Sequence, residues 1–156
     1  MPRREHYPDG IAFLLRDTYG AFAREYQADL ADAGITMSMF YFLHALARHD
    51  GLSQRELMEG VGLMQPATSA ALKKMEAMRL AVRKPDAQDA RVVRFYMTAK
   101  ARRLVEKKLA PASARLRARA VGDFTAEEMQ TLRSLLRRMK TNLEKDKTVS
   151  VGDQPA

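Results

Sequence analysis

The residues best suited to chemistry lie between Ser53 and Thr98, and their chemistry is recognition rather than bond-making. The run Gln65-Pro66-Ala67-Thr68-Ser69-Ala70-Ala71-Leu72-Lys73-Lys74 has a small, polar first half. Short side chains let a helix bring its backbone close to base edges, and Gln65, Thr68 and Ser69 offer donors and acceptors there. Lys73 and Lys74 suit phosphates better than bases. Taken alone, the run reads equally well as a surface helix whose small residues pack on a neighbour. Further on, Asp89-Ala90-Arg91 stands where a hairpin would protrude. An arginine at such a tip can enter a minor groove, where negative potential is strong. Asp89, two residues away, can brace the guanidinium and hold its direction. Arg83, Lys84 and Arg94 offer flanking phosphate contacts. A solvated polar turn is the plainer reading of the tip by itself. Helix and ribbon together favour a grip on duplex DNA.

Elsewhere the chain offers little to a catalyst. It has no Cys, which excludes disulfides, thiolate zinc sites and a cysteine redox switch. His6, His44 and His49 lack Cys partners, and His44 and His49 are spaced poorly for one helix face, so no metal and no cofactor are expected. The glycines of Gly60-Val61-Gly62 are too few and too close for a phosphate-binding loop. No nucleophile–base pair is recognisable, so an enzyme is not expected.

The bulk charge agrees with a polyanionic partner. The 156 residues carry a net charge of +8. Residues 65–98 hold seven basic and three acidic groups, and residues 99–121 hold eight and one. The positive charge thus begins at the presumptive reading helix. The second stretch is open to two readings, a phosphate-facing surface or a solvated helix face. With 46% hydrophobic residues the chain can build a core. No run approaches the ~20 apolar residues of a membrane span, so no membrane partner is expected. The opening MPRREHYPDG lacks an apolar signal region, and a cytoplasmic location is expected.

These side chains need elements to position them. Ile11, Leu14, Leu15, Tyr19, Phe22 and Leu30 recur at helical spacing, and Gly34 is placed to end that first helix. Thr36 starts a second helix with Phe40, Leu43 and Ala47 on one face. Ser53 and Glu56 form a capping box for a third helix over 54–60. Pro66 suits the first turn of a fourth, running to about Met78, with Ala71, Leu72 and Met75 buried. The period then changes to two: Leu80 and Val82 predict one strand, and Val93, Phe95 and Met97 one face of another, with Val92, Arg94 and Tyr96 on the opposite face. Thr98 caps a fifth helix, which Pro111 should kink. Thr125 and Glu128 box a sixth, striped with Met129, Leu132, Leu135, Leu136, Met139 and Leu143.

Together these stretches resemble the MarR family of winged helix-turn-helix transcription regulators. The resemblance runs from about Gly10 to Lys145 and is carried by ITMSMFYFLHAL, LSQRELMEGVGLMQPATSAALKKMEAMRL, VRKPDAQDARVVRFYMT and FTAEEMQTLRSLLRRM. It implies a mainly α fold with a small β-wing (α+β). A winged helix-turn-helix domain over 35–98 would be joined to a helical dimerisation lobe from 10–34 and 99–146, with 1–9 and 147–156 as flexible termini. It implies a homodimer reading an inverted repeat in double-stranded DNA. Gln65, Thr68, Ser69 and Lys73 would then meet the major groove, Arg91 the minor groove, and Ser53 and Gln54 phosphates. The apolar surface of the terminal helices, more than one small winged domain can cover, also favours a dimer. The family often responds to small, frequently aromatic anions. Arg16, Tyr19, Tyr41 and His44 are the candidates for such an effector site, with Arg16 as the carboxylate partner. An intersubunit salt bridge for Arg16 and a packing role for Tyr41 and His44 remain open alternatives. The sequence departs from the family pattern at three points: Arg79 stands for a glycine, Ala90 for a second wing arginine, and Ala70 for a helix arginine. The expectation is a homodimeric repressor released by a small ligand. A non-specific or architectural nucleic-acid-binding protein and a protein-interaction module are the rivals.

Overall fold

The computed structural model describes residues 10–145. His6, both expected flexible termini and the last residue of the expected helical lobe lie outside that range. The fold is mainly helical, with one small antiparallel sheet.

Helix α1 (Ile11–Asp32) stops where Gly34 takes a φ of 67° and the Ile35 amide reaches back to the Leu30 carbonyl at 3.0 Å. That closure seats Leu30 and Ile35 together in the core. Helix α2 (Met37–Arg48) begins on Thr36, whose side chain accepts from the Met39 amide. It is the centre of the core: Met39, Phe42 and Leu43 are fully buried. Strand β1 (Leu52–Ser53) leads into α3 (Gln54–Val61), and the expected capping box is present in both directions. Helix α4 (Gln65–Ala77) carries Pro66 in its first turn and buries Thr68, Ala71, Leu72 and Met75.

Strands β2 (Ala81–Pro85) and β3 (Val93–Met97) form the wing, and β3 lies between β1 and β2. The register pairs Ala81 with Met97 and Arg83 with Phe95. This corrects the expected first strand. Leu80 is buried but precedes the strand, Ala81 faces inward, and Val82 is exposed. The alternation expected for β3 is present, with Phe95 and Met97 in the core, while Val93, on the same face, is exposed further out along the ribbon.

Helix α5 (Ala99–Leu104) starts on Thr98, whose hydroxyl accepts from the Ala101 amide and donates to the Arg79 carbonyl at 2.7 Å. A π-helical turn over Val105–Leu109 joins α5 to α6 (Ala110–Val121). The turn sits directly before Pro111. A proline lacks an N–H and crowds the carbonyl four residues back, here that of Lys107; the wider turn relieves both. The interruption expected at Pro111 is therefore an inserted π-turn. The α1 and α6 sides are joined by Arg115 to Asp29 at 2.9 Å, and Lys108 of the π-turn bonds Asp32.

The chain divides into two compact units after Leu116. The second contains α7 (Ala126–Lys145), which opens on the Thr125–Glu128 capping box. None of its residues is buried, and Leu132, Leu135, Leu136 and Leu143 are exposed.

Helix α4 closes at Arg79, the one non-glycine residue with positive φ (57°) among the described residues. The Leu80 amide returns to the Met75 carbonyl at 2.8 Å, so the chain needs the left-handed conformation there. A side chain in that conformation is strained. Arg79→Gly should raise stability by about 0.5–1 kcal/mol. A urea midpoint unchanged or lower in the variant would show that the arginine is not strained.

Candidate nucleic-acid interface

With Thr68, Ala71, Leu72 and Met75 inward, a period of 3.6 turns Pro66, Ala70, Lys73 and Ala77 outward, and all four are exposed. Gln65 is exposed at the same end. Ser69, partly buried, accepts from Gln54 Nε2 at 2.7 Å, so α3 and α4 are bolted together at their N-terminal ends. Gln54 and Ser69 were read separately from sequence, and the fold joins them. Ser53 is half-buried, with its hydroxyl taken by the Glu56 amide at 3.2 Å.

Thr68 does not belong on this face. It is fully buried, and its hydroxyl donates to the Met64 carbonyl at 3.1 Å. The expectation that it meets a groove is corrected: its position on the inner helical stripe outweighs its polarity, and the back-bond satisfies the hydroxyl.

The wing tip is an ordered turn. The Asp86 carboxylate accepts from the Gln88 amide at 2.9 Å and the Asp89 amide at 3.0 Å. Asp89 grips Arg91 as a fork, with Nε at 3.0 Å and Nη2 at 3.2 Å, and also takes the Arg91 amide. The arginine is nonetheless 91% exposed. It is held in direction without being covered, and its side-chain hydrogen bonds, then its amide, hold the Asp89 carboxyl below the usual range. Lys84 is exposed, with its ammonium 5.4 Å from the Tyr96 ring centre. Arg83 reaches back to Glu76 of α4 at 3.2 Å.

Arg94 departs from its expected role at phosphate. Its guanidinium bonds the Asp86 carboxylate, the Gly51 carbonyl at 2.9 Å and Glu56 Oε2 at 3.2 Å. Nε and Nη1 serve the protein, and they fasten the wing turn to the start of α3. Gly51 is needed beside it: its φ is 83°, and a Cβ there would lie 2.8 Å from the Tyr96 ring.

A cavity of about 820 Å³ opens between α1, α2, α3 and α6, lined by Tyr26, Phe40, Tyr41, His44, Arg48 and Val61 among others. His44 Nε2 is buried there with no hydrogen-bond partner. Burial first, and Arg48 second, push its pKa below the ordinary imidazole value, so the ring is neutral at pH 7. Tyr41 also borders a second cavity of about 370 Å³ with Tyr19 and Phe22. Burial raises the Tyr41 pKa, and Tyr19 adds to the shift. Tyr41 thus lines both cavities, with His44 in the larger and Tyr19 in the smaller. Arg16 does not join them. It lines neither cavity, bonds Asp17 at 2.9 Å and stacks 5.1 Å from the Phe13 ring. The cation in the larger cavity is Arg48, which sequence reasoning missed. Its signal was present: Tyr41, His44 and Arg48 follow at three and four residues on one helix face. Among the described residues, no group of three or more His, Cys, Asp or Glu could hold a metal ion, and no single helix is long and apolar enough to cross a membrane.

Residues 33–92 match the profile of the MarR family. The chain is 25% identical over 118 residues to the uncharacterized HTH-type transcriptional regulator YybA of Bacillus subtilis (strain 168), covering 76% of this chain and 78% of that protein. Its fold is similar to that of Staphylococcus aureus MepR, solved with DNA (TM-score 0.78, 24% identity, 86% of this chain and 96% of that one). It is also similar to Bordetella bronchiseptica BpsR, whose DNA binding is regulated by 6-hydroxynicotinic acid (TM-score 0.76, 24% identity, 90% and 98%).

The Arg94 junction gives a pH test. Bonding to Arg94, then to the two amides, lowers the Asp86 pKa from 3.8 to about 2. A carboxylate whose folded-state pKa is depressed stabilises the protein fully above its unfolded value and loses that contribution as pH falls through the folded value. Asp86→Asn should therefore lower the melting temperature at pH 7. Its difference from wild type should vanish between about pH 4 and pH 2. A pH-independent difference would mean the charge is not what fastens the wing.

Proposed function

We propose, from the match of residues 33–92 to the MarR family and the likeness to an HTH-type transcriptional regulator, that the chain is a MarR-type regulator: a homodimeric, cytoplasmic repressor of an inverted-repeat operator, released by a small aromatic anion. The observation that carries the DNA reading is Arg91, exposed and aimed by Asp89 at the tip of a wing that is fastened to α3 by Arg94. In this reading the winged domain spans 35–98, and helices from 10–34 and 99–146 form the dimerisation lobe. Gln65 and Ser69 serve the major groove, Lys73 the phosphates that flank it, Arg91 the minor groove, and Ser53, Gln54 and Lys84 further phosphates. Dimerisation is supported by the exposed apolar residues of α1 (Ile11, Leu14, Tyr19) and of α7 (Leu132, Leu135, Leu136). Two-fold symmetry would set the reading helices about 34 Å apart, one turn of DNA.

The effector reading rests on the larger cavity. Aromatic walls, a neutral His44 with an unused Nε2 and the Arg48 guanidinium suit a ring bearing a carboxylate. BpsR, with its 6-hydroxynicotinic acid, is a precedent for such chemistry on this fold. A ligand wedged between α2 and α3 would shift the helix that bears on α4, and both half-sites could no longer fit together.

Selection from a randomised duplex library should yield a palindrome. On that duplex Arg91→Ala should cost ~1–3 kcal/mol of affinity, while Lys73→Ala should weaken specific and random DNA alike and lower the salt slope. Equal behaviour of the two variants would remove the minor-groove role of Arg91. Enrichment of no sequence would favour an architectural protein instead. For the effector, Arg48→Ala should abolish the release of operator by aromatic carboxylates, read by fluorescence anisotropy. Release that persists in the variant would place the anion elsewhere.

A further inference from the structure

At the N-terminal end of α4 the outward face has little left to hydrogen-bond with. Thr68 is buried, and Ser69 already holds Gln54. What stands exposed is Met64, Pro66, Ala67 and Ala70, with Gln65 at the edge. Met64 is 79% exposed, the most exposed of the large hydrophobic residues among the described residues, and as the N-cap of α4 its side chain makes no capping bond. Exposed cations stand further along the same helix (Lys73, Lys74) and on the wing that follows it (Lys84, Arg91). An exposed methionine on a helix that also carries exposed lysines suits a partner that is polyanionic outside and carries methyl groups within. Duplex DNA has that chemistry, because thymine presents its 5-methyl group in the major groove.

We infer that Met64 determines sequence specificity by packing on thymine 5-methyl groups, with Pro66, Ala67 and Ala70 letting the helix sit close to them. The inference rests on α4 being the groove-reading helix. Met64 is flexible and polarizable enough to follow a methyl group without a fixed geometry. A guanine or cytosine in the same place would lose water from its edge and find no donor or acceptor in return. Operator choice at these positions is therefore read as methyl against no methyl.

The test uses the full chain and a fluorescently labelled duplex selected from a randomised library. Thymines are replaced one at a time by deoxyuridine, which removes only the methyl group. Wild type should lose about fourfold in affinity at a contacted position, the worth of burying one methyl-sized group. Met64→Ala should bind the two duplexes equally at that position. Because Met64 is exposed, the variant's melting curve should match wild type. Equal losses in both proteins, or none in wild type, would overturn the inference and leave the repressor reading standing. Selection of no sequence at all would overturn both.

Discussion

The guanidinium of Arg94 joins three parts of the chain that are remote in sequence: Asp86 in the wing turn, Gly51 before β1 and Glu56 at the start of α3. Each partner has a second duty. Asp86 shapes the wing tip through two amides, Gly51 brings the backbone against Tyr96, and Glu56 completes the capping box of α3. A shift in the wing is therefore felt at α3, and through the Gln54–Ser69 bond at α4. The wing turn is held to α3 by charge-assisted hydrogen bonds, which are stronger and more directional than neutral ones, and α3 is held to α4 by the neutral Gln54–Ser69 bond.

Beneath this junction lies a core centred on α2. Met39, Phe42 and Leu43 are closed in by Leu57, Leu72, Met75 and Leu80, so α3, α4 and the wing root share one packed interior. Thr98 adds a polar stitch, donating to the carbonyl of Arg79 while capping α5. The end of α4, the root of the wing and the start of α5 are thus tied together through one residue. The cavity beside α2 interrupts this packing where α2 meets α3. An occupant there would act on the element that carries both the Gln54–Ser69 bond and the Arg94–Glu56 pair.

Much of this was legible in the sequence because it depends on local rules. Thr36, the Ser53–Glu56 and Thr125–Glu128 boxes and Gly34 each act within a few residues, and each does what its spacing implies. The Asp89–Arg91 brace was legible for the same reason. What failed to show was long-range or ambiguous by type. Arg94 looked like any wing cation because its partners Gly51 and Glu56 lie about forty residues away. Thr68 looked available because threonine is polar, although its position on the inner stripe outranks its chemistry. Arg16 was grouped with Tyr41 by residue type alone, while Arg48, in helical register with Tyr41 and His44, carried the better signal. The first strand was misplaced by one residue, since alternation over so short a stretch fixes period better than phase.

The central claim is that α4 and the wing act as one two-part reader, repeated by symmetry on the DNA. Hydroxyl-radical cleavage of a selected duplex measures this directly, because it reports minor-groove access at single-nucleotide resolution. The account predicts two protected minor-groove segments related by a two-fold axis, both lost in Arg91→Ala while the major-groove contacts persist. Protection spread evenly along the duplex, or unchanged in that variant, would contradict it.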